Sequence, residues 1–429
     1  MKQFLWATLL LALSLPAQAQ AGPCENNIQN DYGGASYIGA DAPLTIDAVL
    51  RKIRRASPET RAASLEILAR AADAEQAGRP LNPVLSIELE EFAGSGALSG
   101  FNEAETTIGL EQTLRLGGKR QRAEVAARAL IALASAECAV ILRETELQGA
   151  ILFYDYVYAL NDAALLDTAA KTAEQLADTV RKRVAAGAAP PPEQIRAESA
   201  AAASQASASF ARGLAEKRRY ELASLWGEPS PSFNLAEAED PAVGVMLITE
   251  IPLVHPELDR AEASENALRA AIDVERTAAI PDITVSAGFR RFESTGDSAI
   301  VAGVSVPLPI FDRNRGATRA AEIRARAGQI NQVAVEARLR ARQRSAVAAV
   351  TNARQRLVIL EGTVLPSAVA AYDASIQGYS AGKFDLTTTF DARNALLEAQ
   401  RSVLVAEHTL RVETARLQSL VGAALFSGE

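Results

Sequence analysis

This sequence is short of the residues from which most soluble chemical sites are built. Its 429 residues include only two histidines (His255 and His408), two methionines and two cysteines (Cys24 and Cys138). None of them cluster at ligand spacing, so no bound metal is expected. Nucleophile-elbow and phosphate-loop motifs are missing too, which argues against an enzyme or a bound cofactor. Basic residues are outnumbered: 44 Lys and Arg face 52 Asp and Glu, a net charge of −8. A phosphate backbone needs clustered positive charge, so a nucleic-acid partner is excluded. After the first residues no run of about 18 consecutive apolar residues occurs, so no transmembrane helix is expected. A membrane role would have to fall to strands.

The chain begins like an exported protein. Lys2 is followed by an apolar core from Phe4 to Leu15 and by the small-residue stretch Ala17-Gln18-Ala19. That pattern reads as a signal peptide over 1–21. Export makes a Cys24–Cys138 disulfide chemically possible, two cysteines being the minimum for one bridge. A lipid anchor on Cys24 competes with it, although Pro23 directly before the cysteine suits a lipidation motif poorly; Cys138 alone reads as a small apolar helix residue. Residues 22–43 are rich in Gly, Asn, Asp and Pro and read as a flexible tail.

From Thr45 onward most of the chain reads as helix. Ile46, Val49, Leu50 and Ile53 recur at helical spacing after Thr45. Ser57-Pro58 breaks the pattern and opens a second piece that runs to about Ala77. The period then changes. Leu85, Ile87 and Leu89 alternate with Ser86, Glu88 and Glu90, and after a Gly/Ser-rich loop Thr106, Ile108 and Leu110 alternate with polar neighbours, which predicts a β-hairpin. From about Lys119 to Ala186 there is no proline and only one glycine, Gly149. At about 1.5 Å per residue this would be a rod of roughly 100 Å. Gly187 should end it, and Pro190-Pro191-Pro192 should bar continuation until Glu193. The stretch 227–256 is irregular, with a short strand expected over Val243–Ile251, and the next helix reaches about Ala279.

The plan then recurs, which reads as an internal duplication. Ile283, Val285 and Phe289 alternate with Thr284, Ser286 and Arg290, a partner strand spans about Ala299–Val306, and a second long helix runs from about Ala317 to Ser380. Pro366 lies inside that helix and should bend it. Gly382 ends it, and Asp385 should cap a last helix reaching about Val421. The expected organisation is a first repeat over 44–226, an equatorial insertion over 227–256 and a second repeat over 257–429.

Four strands of about 9–10 residues fit a tilted membrane barrel wall, with the apolar face toward lipid and the charged face toward a lumen. A half-buried sheet in a soluble protein is the competing reading, but it would need a helical layer over its apolar face, and these helices are too long for that. Four strands cannot close a barrel around a channel, so copies must cooperate. Alanine-rich stripes suit the long helices to a coiled-coil wall. A periplasmic or surface coiled-coil protein without a pore is the alternative from another class.

The motifs Arg183-Val184-Ala185-Ala186-Gly187 and Gly378-Tyr379-Ser380-Ala381-Gly382-Lys383-Phe384-Asp385 resemble those of the TolC family of outer-membrane efflux proteins. The stretch from Val304 to Gly316, with Gly117-Gly118-Lys119-Arg120 in the matching place of the first half, is similar more narrowly to the cobalt–zinc–cadmium resistance branch. The resemblance implies a mainly α protein with a membrane β-barrel: a homotrimer with a twelve-strand barrel in outer-membrane lipid and a long periplasmic helical tunnel. It also implies a periplasmic adaptor and an inner-membrane pump of the resistance–nodulation–division type as partners, and heavy-metal cations as cargo. Drugs or secreted polypeptide are the alternative cargo. By position, the adaptor-docking tips would be Arg183, Gly187, Tyr379, Gly382 and Lys383. Asp391, Thr388 and Tyr379 are the aperture candidates; Thr388 stands where the family can place a second aspartate, and Phe384 where it can place a basic residue beside the tyrosine.

Overall fold

The first two helices begin where a side chain satisfies a free amide. Thr45 accepts from the Ala48 N–H (3.2 Å) at the start of α1 (Ile46–Ala56), and Ser57 accepts from the Thr60 N–H (3.4 Å) at the start of α2 (Pro58–Ala77). The structure, a computed structural model, describes Cys24, residues 44–231, Phe233 and residues 253–421. The signal peptide, nearly all of the 22–43 tail and the strand expected over Val243–Ile251 lie outside the described residues.

After α2 the chain forms β1 (Val84–Glu90) and β2 (Glu105–Leu114), then α3 (Lys119–Ala185) and α4 (Pro191–Ser224). Next come α5 (Pro256–Ala278), β3 (Ile283–Phe292) and β4 (Ser298–Ser305), and finally α6 (Arg315–Ile359), α7 (Leu365–Ser380) and α8 (Leu386–Leu420). Three boundaries differ from expectation for local reasons. β1 stops at Glu90 because Glu91 takes a left-handed backbone (φ 56°) that ends the ladder. Pro191 and Pro192 do not delay α4; they form its first turn, where a missing N–H costs nothing. Pro366 is accommodated by a π turn over Leu360–Val364, whose wider winding makes room for a ring that would otherwise meet the carbonyl of Gly362.

The four strands form one antiparallel sheet in the order β1-β2-β3-β4. Both hairpin turns lie at one end, the first with a short 3-10 turn over Gly96–Leu98, and the α-helices are joined to the other. Pairing of Ile108 with Phe289 across β2 and β3 joins the two halves of the chain into a single surface, a contact that hairpin reasoning does not supply. The register lines up Ile87, Ile108, Phe289 and Ile300 on one face. These side chains are bare: Ile87 is 68% and Ile300 87% exposed, and no described helix covers them. On the opposite face the backbones crowd, since a Cβ on Gly288 would lie 2.8 Å from the Ile108 carbonyl oxygen. Only glycine permits that approach.

The largest core sits midway along the helices. Val49 and Ile53 of α1 pack against Phe153, Tyr154 and Val157 of α3, Leu222 of α4, Trp226, Phe233 and Val412 of α8. Each such large side chain contributes about 1.5–3 kcal/mol when buried. α3 meets α2 and α5 near the sheet and α4 farther away. Its contact with α8 is keyed by polar groups two helical turns apart. His408 bonds Asp155 (2.7 Å), Arg401 bonds Asp162 through both oxygens (2.9 and 3.1 Å), and Arg393 donates to the Ala169 carbonyl (2.9 Å) and Ser204 hydroxyl (3.0 Å). Asp162 (5% exposed) and Arg393 (7% exposed) are buried, so a slip of the seam that took away their partners would strand a buried charge, which favours one register.

By composition alone, α3 and the continuous α6–α7 rod each contain a stretch apolar enough to cross a bilayer, against the expectation of none. Alanine interspersed with Leu, Ile and Val raises the average without forming an uninterrupted run. Both rods are far longer than the ~30 Å a bilayer core requires.

Cys24 and Cys138 form a disulfide with a Cα–Cα distance of 6.3 Å, which ties the segment before α1 onto α3. Of the fates open to Cys24, the bridge is the one found, and it leaves no thiol for a lipid. Closing a loop of 114 residues stabilises by at most about 5 kcal/mol through the unfolded chain. The variant Cys24→Ser/Cys138→Ser should therefore melt well below the parent, and reductant should lower the parent to match it.

His255 caps α5, its Nδ1 accepting from the Glu257 N–H (3.1 Å). Burial holds its imidazole below the ordinary value; Glu257 and Asp259 pull it upward, while Arg143 and Arg342 add to the lowering. The unfolded chain takes up that proton first. The contribution is thus whole above about pH 6.5 and is lost as pH falls toward the lower folded value. Thermal melts from pH 7 to pH 5 should show stability falling, and His255→Asn, which keeps a cap acceptor without a titrating ring, should flatten that slope.

Candidate functional site

The two helical hairpins end in the same hydrogen-bond pattern. At the first tip Gly187 N–H donates to Val184 O (3.0 Å) and Ala188 N–H to Arg183 O (2.8 Å); at the second, Gly382 N–H donates to Tyr379 O (3.0 Å) and Lys383 N–H to Gly378 O (2.8 Å). Each needs a residue with left-handed backbone, supplied by Gly187 (φ 71°) and Gly382 (φ 70°). The tips also hold each other. The Arg183 guanidinium lies over the Tyr379 ring, 4.5 Å from its centroid, and donates to the Tyr379 carbonyl. The Tyr379 hydroxyl donates to Glu193 (3.3 Å), and burial together with Glu193 pushes this phenol above its usual range despite Arg183, so the donor stays protonated. Arg196 repeats the arrangement, bonding Thr387 (3.0 Å) while lying over the Phe390 ring. Leu176, Ala177, Val180, Ala197 and Leu386 form the apolar layer beneath.

Burial divides the residues singled out from sequence into two groups. Gly187, Gly382 and Lys383 are exposed at the tip surface. Arg183 and Tyr379 are engaged in the clasp between hairpins, with Tyr379 only 2% exposed. Arg183 supplies the cation that Phe384 does not; Phe384 instead lays its ring on Gly378. Thr388 and Asp391 lie one turn apart on the exposed face of α8, and Asp391 makes no hydrogen bond or ion pair among the described residues. Asp385 caps α8 by accepting from the Thr388 N–H (2.8 Å), and hydrogen bonding from the Thr388 hydroxyl and amide holds its carboxyl below the usual range.

At the other end, the sheet face opposite the apolar row carries charge. Glu88, Glu90, Glu105 and Glu111 share it with one cation, Arg290, which bonds Glu90 (2.9 Å), Glu105 (2.7 Å) and the Thr107 hydroxyl (2.9 Å). Among the described residues no three His, Cys, Asp or Glu side chains converge as a metal site. Sequence reasoning missed the clasp, the Arg290 cluster and the α3–α8 seam. The seam had a signal, since Asp155 and Asp162 lie two turns apart, as do Arg401 and His408. The clasp had none, because its partners are distant in sequence.

A sheet with a bare apolar row on one face and four glutamates with Arg290 on the other, and with rods of roughly 100 Å hung from one end, has the make-up of a channel-type protein of the outer membrane. The family model described as outer membrane efflux protein matches residues 247–423. The cobalt-zinc-cadmium resistance protein CzcC of Cupriavidus metallidurans is 30% identical over 372 residues, covering 84% of this chain and 86% of the relative. The chain belongs to the TolC-like outer membrane efflux protein family and is an outer-membrane efflux channel with a long periplasmic helical portion. The nickel and cobalt resistance protein CnrC of the same bacterium is 31% identical, covering 73% of this chain and 75% of the relative. In fold, the chain is similar to the solved structure of CusC, with a TM-score of 0.74 over 96% of this chain and 100% of that one at 16% identity.

Removing Arg183 deletes a cation–π contact and a charge-assisted hydrogen bond, together worth roughly 2 kcal/mol. Arg183→Ala should therefore let the tips part more often and raise conductance in planar bilayers. Unchanged conductance would mean that the clasp does not restrain them.

Proposed function

We propose that three copies close a twelve-strand barrel in the outer membrane and form a passive duct. It would carry heavy-metal cations outward from a periplasmic adaptor and an inner-membrane pump of the resistance–nodulation–division type. The observation carrying this reading is the sheet: four strands whose two outer edges pair with no described strand, and an apolar face that no described helix covers. In hydrocarbon each unpaired backbone group costs several kcal/mol, so both edges must find partners, and other copies offer matching ones. The helical hairpins would then stand side by side as a tunnel wall, with Gly187, Gly382 and Lys383 at the adaptor-facing end.

The cargo reading draws on the metal-resistance relatives and on charge. Each copy brings four glutamates and one arginine to the inner face of the sheet. It also brings the exposed carboxylate of Asp391 beyond the second tip. Rings of carboxylate favour cations in transit without binding them tightly. The domain plan that fits is a signal peptide over 1–21, a tail over 22–43, repeats over 44–226 and 257–429, and an equatorial insertion over 227–256. The matching bond patterns at the two tips support the duplication.

The test is a deletion strain challenged with zinc, cobalt, cadmium, nickel, copper and hydrophobic drugs. Lost tolerance to metals is expected, and unchanged metal tolerance with new drug sensitivity would overturn the cargo. Light scattering of the detergent-solubilised protein should give a trimer; a stable monomer would remove the barrel. In bilayers Asp391→Asn should lower the preference for cations over anions, read as a shift in reversal potential.

A further inference from the structure

The lipid-facing alternation does not end where β4 ends. Ala302 and Val304 face outward with Ile300, and the same parity runs on through Val306 and Leu308 past Ser305, the last residue of the strand. Pro307 and Pro309 occupy the intervening positions and have no amide N–H to leave unpaired in an apolar medium. A tight turn, with Ile310 N–H donating to Leu308 O (2.8 Å), then turns the chain back toward α6. It leaves Ile310 and Phe311 outside the fold, Phe311 being 98% exposed. Val306, Leu308, Ile310 and Phe311 thus extend the bare face of the sheet beyond its edge, at the end where the helices begin.

Arginines that make no ion pair with a described carboxylate gather around this segment. Arg115, Arg120, Arg313, Arg315 and Arg319 are all exposed at the same end of the sheet, in a chain that is acidic overall. The nearby carboxylates already have partners: Asp312 accepts from the Asn314 N–H (2.9 Å), Glu275 from the Asn314 side-chain amide (2.8 Å) and Asp282 from Lys119 (2.7 Å). Apolar groups continuous with a lipid-facing surface and bordered by arginine match one environment: the boundary between acyl chains and anionic headgroups.

We propose that residues 306–313 form an interfacial anchor, with Leu308, Ile310 and Phe311 inserted among the acyl chains of the periplasmic leaflet and the surrounding arginines on anionic phospholipid headgroups. The anchor sets the depth at which the sheet sits and hence the level at which the rods start. It rests on the reading of the sheet as a membrane wall.

Fluorescence depth measurement separates the two ideas. Full-length Phe311→Trp and Val304→Trp are reconstituted in phosphatidylethanolamine–phosphatidylglycerol vesicles whose chains are brominated near the headgroup, with the parent protein as background. The expected result is that bromolipid roughly halves the added emission of both variants and that the Phe311→Trp emission lies to the blue. Quenching of Val304→Trp without quenching of Phe311→Trp would overturn the anchor alone, placing the segment in water or against a neighbouring copy. Quenching of neither would overturn the membrane wall itself. Replacing phosphatidylglycerol by a zwitterionic lipid should weaken the quenching of Phe311→Trp but not of Val304→Trp, and no change would remove the anionic headgroups from the proposal.

Discussion

An apolar sheet face that no described part of the chain covers governs the rest of this molecule. Ile87, Ile108, Phe289 and Ile300 stand in one row, and exposing a surface of that size to water is strongly unfavourable. Hydrocarbon accepts it, but on the condition that no backbone polar group is left unpaired. The two halves of the chain meet this condition at β2 and β3, and the edges β1 and β4 meet it only through other strands. The glutamates and Arg290 lie on the other face, where they stay out of hydrocarbon.

Below the sheet the requirement is register along a great length. Alanine-rich helices slide past one another easily, because successive apolar layers are nearly equivalent. The pairing of α8 with α3 through Arg393, Arg401 and His408 removes that freedom at intervals of two turns. The apolar layer around Phe153 and Trp226 fixes the middle, and the Arg183–Tyr379 clasp fixes the far end. The helices are therefore held at three heights, with polar bonds between the fixed layers.

Element order, helix length and strand parity were legible in the sequence because each is a local property. A proline-free run of strong helix formers, an alternation of Ile with Glu, and a glycine at each helix end have their consequences within a few residues. Glu91 and Pro191 show the limits of local reading: one ended a strand early through its own backbone angle, the other opened a helix that a run of prolines was expected to delay. The residues read from the sequence as aperture candidates illustrate the boundary. Exposure of Asp391 and burial of Tyr379 both depend on which neighbour each helix face meets, and a single sequence carries no record of that.

The sequence by itself determined the inventory: four amphipathic strands, two rods, two glycine-stopped tips and two cysteines able to pair. Tertiary structure alone decided that β2 lies beside β3, that Cys24 reaches Cys138, that Arg290 gathers its carboxylates and that Arg183 rather than a residue at position 384 faces Tyr379. The physical reason is range. Periodicity and capping act over one or two turns of chain, whereas each of these contacts joins residues far apart in sequence and exists only once the long helices have brought them together.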